Sequence, residues 1–185
     1  MLTSRFKNIK KILKDFTGKN GEPKNNKEFY VLKSMWVMMC AEFEGSLKDS
    51  VENYIDCIKT KNDIKDMHVC FLLQNFHGNK DEKNEFSIKE IMGLFKNKKS
   101  DINYLNFTKN KKATYKSYAV EHLFNSLGIF LKGEEIMNLK ILDGIASTRD
   151  SISHGDYQIS ITRKQLEDNI SIIKNIYKML KRKLK

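Results

Sequence analysis

A chain that repeats apolar residues every three or four positions over many turns can bury them only as helix. Leu32, Trp36, Met39, Phe43, Leu47, Val51, Tyr54 and Ile58 keep that spacing without a break. The pattern predicts one long helix from about Glu28 to Ile58, the central element of an all-α fold. Residues that end helices are scarce: Pro23 is the sole proline among 185 residues, and there are 9 glycines.

The same periodicity places the other elements. Leu2, Phe6, Ile9, Leu13 and Phe16 draw an apolar stripe down a helix whose other faces are lysine-rich, and the stretch from Gly18 to Asn26 ends it. Such a helix suits either packing on the core or lying as a basic helix on a membrane or RNA. Shorter helices are expected at about 67–76 and 87–95, around an exposed loop at 77–84. Two more run from Ala113 to Leu127 and from Glu134 to His154, separated by a turn near Gly128 and Gly133. A last helix starts at about Arg163, where Thr162 and Gln165 form a capping box. Its stripe of Leu166, Ile170, Ile173, Tyr177, Leu180 and Leu184 suits intrachain packing or a partner helix. We therefore read 1–185 as one domain: 1–26 a basic helix and linker, 27–185 the core bundle, and 77–112 an insertion.

No segment approaches the roughly 20 apolar residues that span a bilayer, and the N-terminus lacks a secretory apolar run, which predicts a cytoplasmic protein without membrane contact. Cys40, Cys57 and Cys70 are odd in number, form no CxxC and sit among apolar residues, so they read as reduced core residues rather than a disulfide framework or zinc site. No metal or other cofactor is expected. A formal charge of +11 favours an anionic partner, with nucleic acid the first candidate, although a general abundance of lysine and asparagine accounts for part of it.

One stretch concentrates that charge. Between Gly93 and Val120 the only acidic residue is Asp101, while lysines alternate with aromatic rings. Ammonium groups pair with phosphates and rings stack on exposed bases, so Lys109, Lys111, Lys112, Tyr115 and Lys116 are candidate RNA-binding residues. The competing reading is a solvated loop whose aromatics reach back into the core.

Arginine use singles out one position. The 34 basic residues include only Arg5, Arg149, Arg163 and Arg182 as arginines, so a generic cation here is lysine. Arg149 stands in the helix of Ile141, Leu142, Ile145 and Ile152, where a rigid bidentate fork for phosphate is hard to replace; a structural ion pair is the alternative. At about 100° per residue, Asp150 and His154 share a face, while Arg149 is turned roughly 140° from His154. Asp150 is thus expected to orient the imidazole. Gly155 is a natural residue just past the helix end, which puts His154 in the last turn, fit for acid or base work near neutral pH. Because the pair diverges around the helix, a second copy about a twofold axis is expected to complete the site.

At Arg149-Asp150-Ser151-Ile152-Ser153-His154-Gly155 the sequence resembles the Arg-polar-x-x-x-His signature of HEPN domains, whose prokaryotic members often read Arg-Asn-x-Ile-Ala-His-Gly. Ala41-Glu42-Phe43-Glu44-Gly45-Ser46-Leu47-Lys48 is similar to the Ala-His-Trp-Glu-Gly-Phe-Ile-Lys segment of one prokaryotic branch, with Glu42 in place of histidine and Ser46 in place of a bulky apolar residue. The likeness implies a HEPN-like helical bundle with an extra N-terminal helix and an inserted basic segment, acting as a homodimer around a shared cleft. It further implies a toxin or anti-phage ribonuclease that cuts RNA without metal through attack of the ribose 2′-OH. In that scheme His154 moves protons, Arg149 stabilises charge, Asp150 positions one of them and Glu44 lines the site. Glu44 can equally form an exposed pair with Lys48. An antitoxin partner is implied by family analogy alone, and a non-catalytic RNA-binding or protein-interaction module of the same fold is the rival.

Overall fold

The computed structural model describes residues 2–18, 21–60, 116–125 and 127–185, and every regular element among them is helical. In chain order these are α1 (Leu2–Phe16), α2 (Asn26–Thr60), α3 (Ser117–Asn125), α4 (Gly133–Leu139), α5 (Ile141–Ser153) and α6 (Arg163–Lys183). The expected segments at 67–76, 77–84 and 87–95 lie outside the described residues.

α2 is the spine. Its stripe is buried from Leu32 through Met39, Phe43, Leu47 and Val51 to Tyr54, as the spacing predicts. α1, α2 and α6 pack against one another, and α5 packs on another part of α2. The stripes of all these helices meet in one core, which includes Phe6, Phe43, Phe124, Leu142 and Ile170. α1 is thus a core-packed helix, with Leu2, Phe6, Ile9 and Leu13 buried. Phe16 ends the stripe at the surface, where Lys27 lies over its ring.

Charge fixes how α1 sits. Arg5 donates from Nη1 to Glu42 (3.0 Å) and from Nη2 to Asp49 (2.9 Å), both on α2. A Cβ built on Gly45 would stand 3.1 Å from Arg5 Nη1, so the glycine makes room for this fork. At the other end of the helix, Arg163 pairs with Glu167 and reaches the carbonyl of Thr17 (3.5 Å). Two of the four arginines therefore tie the N-terminal helix to the bundle.

Helix ends follow the sequence signals. Thr162 Oγ1 accepts from the Gln165 amide (3.1 Å) while Gln165 Oε1 accepts from the Thr162 amide (2.8 Å), completing the capping box. α3 closes on Gly128, whose φ of 69° puts it in the left-handed region, with Gly128 N donating to Asn125 O and Ile129 N to Phe124 O. The described helix starts at Ser117 rather than Ala113, whose neighbourhood lies outside the described residues.

One expected element is different. The helix predicted from Glu134 to His154 is two helices broken at Lys140, whose amide is shared between Ile136 O (3.3 Å) and Met137 O (3.2 Å). Leu139 and Leu142, on either side of the break, are both fully buried. No proline or glycine marks it. Cys57 also departs from expectation: it is exposed near the end of α2, whereas Cys40 is buried as predicted.

Candidate active site on α5

α5 is set in rotation by its inner face. Leu142, Ile145 and Ala146 are buried, and the indole Nε1 of Trp36 donates to the carbonyl of Ile145 (3.1 Å) across the seam with α2. Such a buried bond is worth about 1 kcal/mol net and more in directional terms, because its loss strands both groups. The next turn of α5 brings Arg149 to the edge of this seam, and the turn after it brings His154 to the helix end.

His154 is the C-cap. Its amide donates to Asp150 O (2.9 Å); Gly155, at φ 81°, donates to Ile152 O and Asp156 N to Ser151 O. This doubly bonded left-handed turn is what Gly155 leads one to expect. It leaves the imidazole exposed at a fixed place.

A cleft of about 690 Å³ opens beside it, walled by Lys116, Ser117, Tyr118, Asp143, Ser147, Asp150, Ser151, His154 and Asp156. Asp150 and His154 share this cleft, in accord with their four-residue spacing. Arg149 does not line it; its guanidinium reaches the cleft edge by donating from Nη1 to Asp150 Oδ1 (3.0 Å). Lys116, from the start of α3, closes on the other oxygen, Oδ2, at 3.0 Å. Among the described residues no hydrogen bond joins Asp150 to the imidazole. Both carboxylate oxygens are directed at cations, and Asp150 orients Arg149 and Lys116 instead.

Glu44 is brought to the back of the same group. Trp36, Cys40 and Glu44 succeed one another every four residues along α2, and the buried Cys40 thiol senses Arg149, Asp150 and Glu44 together. Burial pushes its pKa up to about 12, with the Arg149 charge lowering it and the Asp150 and Glu44 charges adding to the rise. Glu44 also forms the i,i+4 pair with Lys48, at 2.8 Å. Glu44 does not line the cleft, and in its pair with Lys48 it is half-buried rather than exposed. Glu42, which departs from the resembled motif, is the partner of Arg5 on α1, so the substitution serves the added helix rather than the cleft. Ser46 is fully buried with its hydroxyl unpartnered among the described residues, and nothing in the structure explains it.

Of the candidate RNA-binding residues, only Lys116 is described, and it lies in the cleft wall; Lys109, Lys111, Lys112 and Tyr115 fall outside. Sequence reasoning missed Ser147 and Asp143, and placed Tyr118 among the rings of the basic stretch without singling it out. Tyr118 is exposed on the cleft. Asp143 accepts from the Ser117 amide (2.8 Å) and hydroxyl, which pins the start of α3 to α5. Asp143, Ser147, Asp150, Ser151 and His154 are spaced by three or four, so the polar face of α5 could have been read as a wall.

The family model for RiboL-PSP-HEPN matches residues 1–185, in accord with the helices that make up every regular element among the described residues. The chain belongs to this HEPN family. HEPN membership points to ribonuclease-like or RNA-related function. No curated protein and no solved structure matches the chain significantly. Among the described residues, no helix is long and apolar enough to cross a membrane, and no group of three or more His, Cys, Asp or Glu side chains is placed to hold a metal ion.

Proposed function

We propose that this HEPN chain is a metal-independent endoribonuclease acting as a toxin, in a toxin–antitoxin or anti-phage defence setting, with His154 and Arg149 as catalytic residues. The supporting observation is the Lys116–Asp150–Arg149 chain of charges, 3.0 Å at each link, on the same cleft as an exposed, rigidly capped histidine.

In the reaction the ribose 2′-oxygen attacks phosphorus, its proton leaves to a base, the bond from phosphorus to the 5′-oxygen breaks, and that oxygen takes a proton. The products are a 2′,3′-cyclic phosphate and a 5′-hydroxyl. An imidazole at neutral pH can serve as either base or acid. Two subunits sharing one groove would supply two imidazoles, one for each proton transfer. Arg149, oriented by Asp150, is suited to the negative charge that builds on the phosphoryl oxygens. Glu44 stands behind it as a charge that tunes the pair. DNA lacks the attacking hydroxyl and is spared. An antitoxin protein is the partner that would restrain such an activity.

The deciding experiment incubates total RNA with the protein in EDTA beside Arg149→Ala and His154→Ala. Cleavage by the wild type, with 2′,3′-cyclic phosphate ends, that is lost in both variants is the expected result. Equal behaviour of all three would sink the enzyme reading and leave the non-catalytic binding module.

A further inference from the structure

A concentration of lysines lies away from the cleft, where α1 and α6 meet. These helices run antiparallel: Arg163 at the start of α6 reaches Thr17 just past the end of α1, while Lys174, farther along α6, sits 5.9 Å from the centre of the Phe6 ring. Counting about 100° per residue, Lys7, Lys10 and Lys14 fall within roughly 60° of arc on one flank of α1, and Lys174, Lys178 and Lys181 within a similar arc of α6. The flanks meet at Lys174, beside Lys7 and Lys10, and Lys178 and Lys181 carry the row on past the first turn of α1. Burial, and then the charges of Lys10 and Lys7, hold the Lys174 pKa below the usual lysine value. By the same count Asp15 and Asp168 fall outside both arcs, and Glu167 is engaged by Arg163.

We infer that this row of lysines is a binding surface for the sugar-phosphate backbone of RNA, separate from the cleft. A ridge of like charges set side by side is costly to hold together, and a polyanion laid along it removes the repulsion and releases its own counterions. The apolar stripes of α1 and α6 are already buried in the core, so neither helix has a face left to insert into a bilayer. The contacts reach phosphates and carry no base sequence. The inference takes from the proposed function only that the partner is RNA.

The test is made in a His154→Ala background, so that bound RNA is read rather than cut. Fluorescence anisotropy with a labelled single-stranded RNA of mixed sequence is followed across salt concentrations for that protein, for K7Q/K10Q/K14Q and for K174Q/K178Q/K181Q. Each triple variant is expected to flatten the slope of log K against log salt by about 2, from three phosphate contacts at roughly 0.7 each. It should also weaken binding at least tenfold at low salt. The Lys→Arg versions of both triples keep slope and affinity, which separates lost charge from lost fold, and single-stranded DNA of the same length behaves as RNA does. An unchanged slope in both Gln variants overturns the inference. So does absence of RNA binding in the parent, or a loss confined to phosphatidylserine vesicles. Because the readout is binding, failure of the ribonuclease reading would appear in the EDTA assay and leave this result standing.

Discussion

The α5 cleft and the α1/α6 ridge use charge in opposite ways. In the cleft, Lys116 and Arg149 both end on Asp150, and Asp143 and Asp156 add further carboxylates to the wall. On the ridge, Lys174 stands among the charges of Lys10 and Lys7. The formal surplus of +11 is thus no guide to where chemistry occurs. Fixed, balanced charges hold side chains at set angles, which is what a transition state needs, whereas unbalanced mobile charges give attraction without orientation.

The sharpest way to break this contrast is Arg149→Lys, which keeps the charge but removes the planar fork held by Asp150. Cleavage should fall by about 100-fold or more, with RNA affinity nearly unchanged; a parallel loss of affinity would show that the cleft also acts as an electrostatic anchor. Next in size is Gly155→Ala. Among the described residues nothing beyond its chain neighbours stands within 4 Å of the added methyl, so its effect is confined to the left-handed backbone at φ 81°. We expect a cost of about 1 kcal/mol, seen as a melting temperature lower by about 2–4 °C for a chain of this size. Turnover should fall with it because His154 caps that turn, while the salt slope of RNA binding stays the same.

The smallest effect belongs to the ridge itself. The Lys174 pKa is lower in the folded state than in the unfolded chain, so its burden on stability is fully present below the folded pKa and is relieved as pH rises through the window up to 10.5. Lys174→Gln is therefore expected to melt slightly higher than the wild type at neutral pH, with the gain gone at about pH 11. A variant that melts lower at neutral pH would mean that packing over Phe6 outweighs the repulsion.

Much of this was legible in the sequence. The stripes of α1, α2 and α6 are long enough to dictate both the elements and their buried faces, and Gly155 announced the cap on His154. What was hidden depends on residues distant in the chain. Nothing near Asp150 reveals that Lys116, arriving from another helix, takes the oxygen expected to serve His154. The scarcity of arginine identified positions where a fork is used, yet Arg5 and Arg163 use theirs to dock α1, so scarcity alone does not separate catalysis from construction. Gly45 and Glu42 belong to the same case: both lie in the segment that resembles the family motif, while here one makes room for Arg5 and the other binds it. The break at Lys140 carries no proline or glycine and so leaves no local mark in the sequence.

Cys40 turns one of these arrangements into a clock. Its thiol is walled in at the seam between α2 and α5, behind Arg149 and Asp150, and its pKa of about 12 keeps it protonated. It can be alkylated only while the seam stands open, whereas Cys57 is exposed from the start. The ratio of the two labelling rates therefore reports the free energy of local opening at the site in the unaltered chain, as amide exchange does for a backbone.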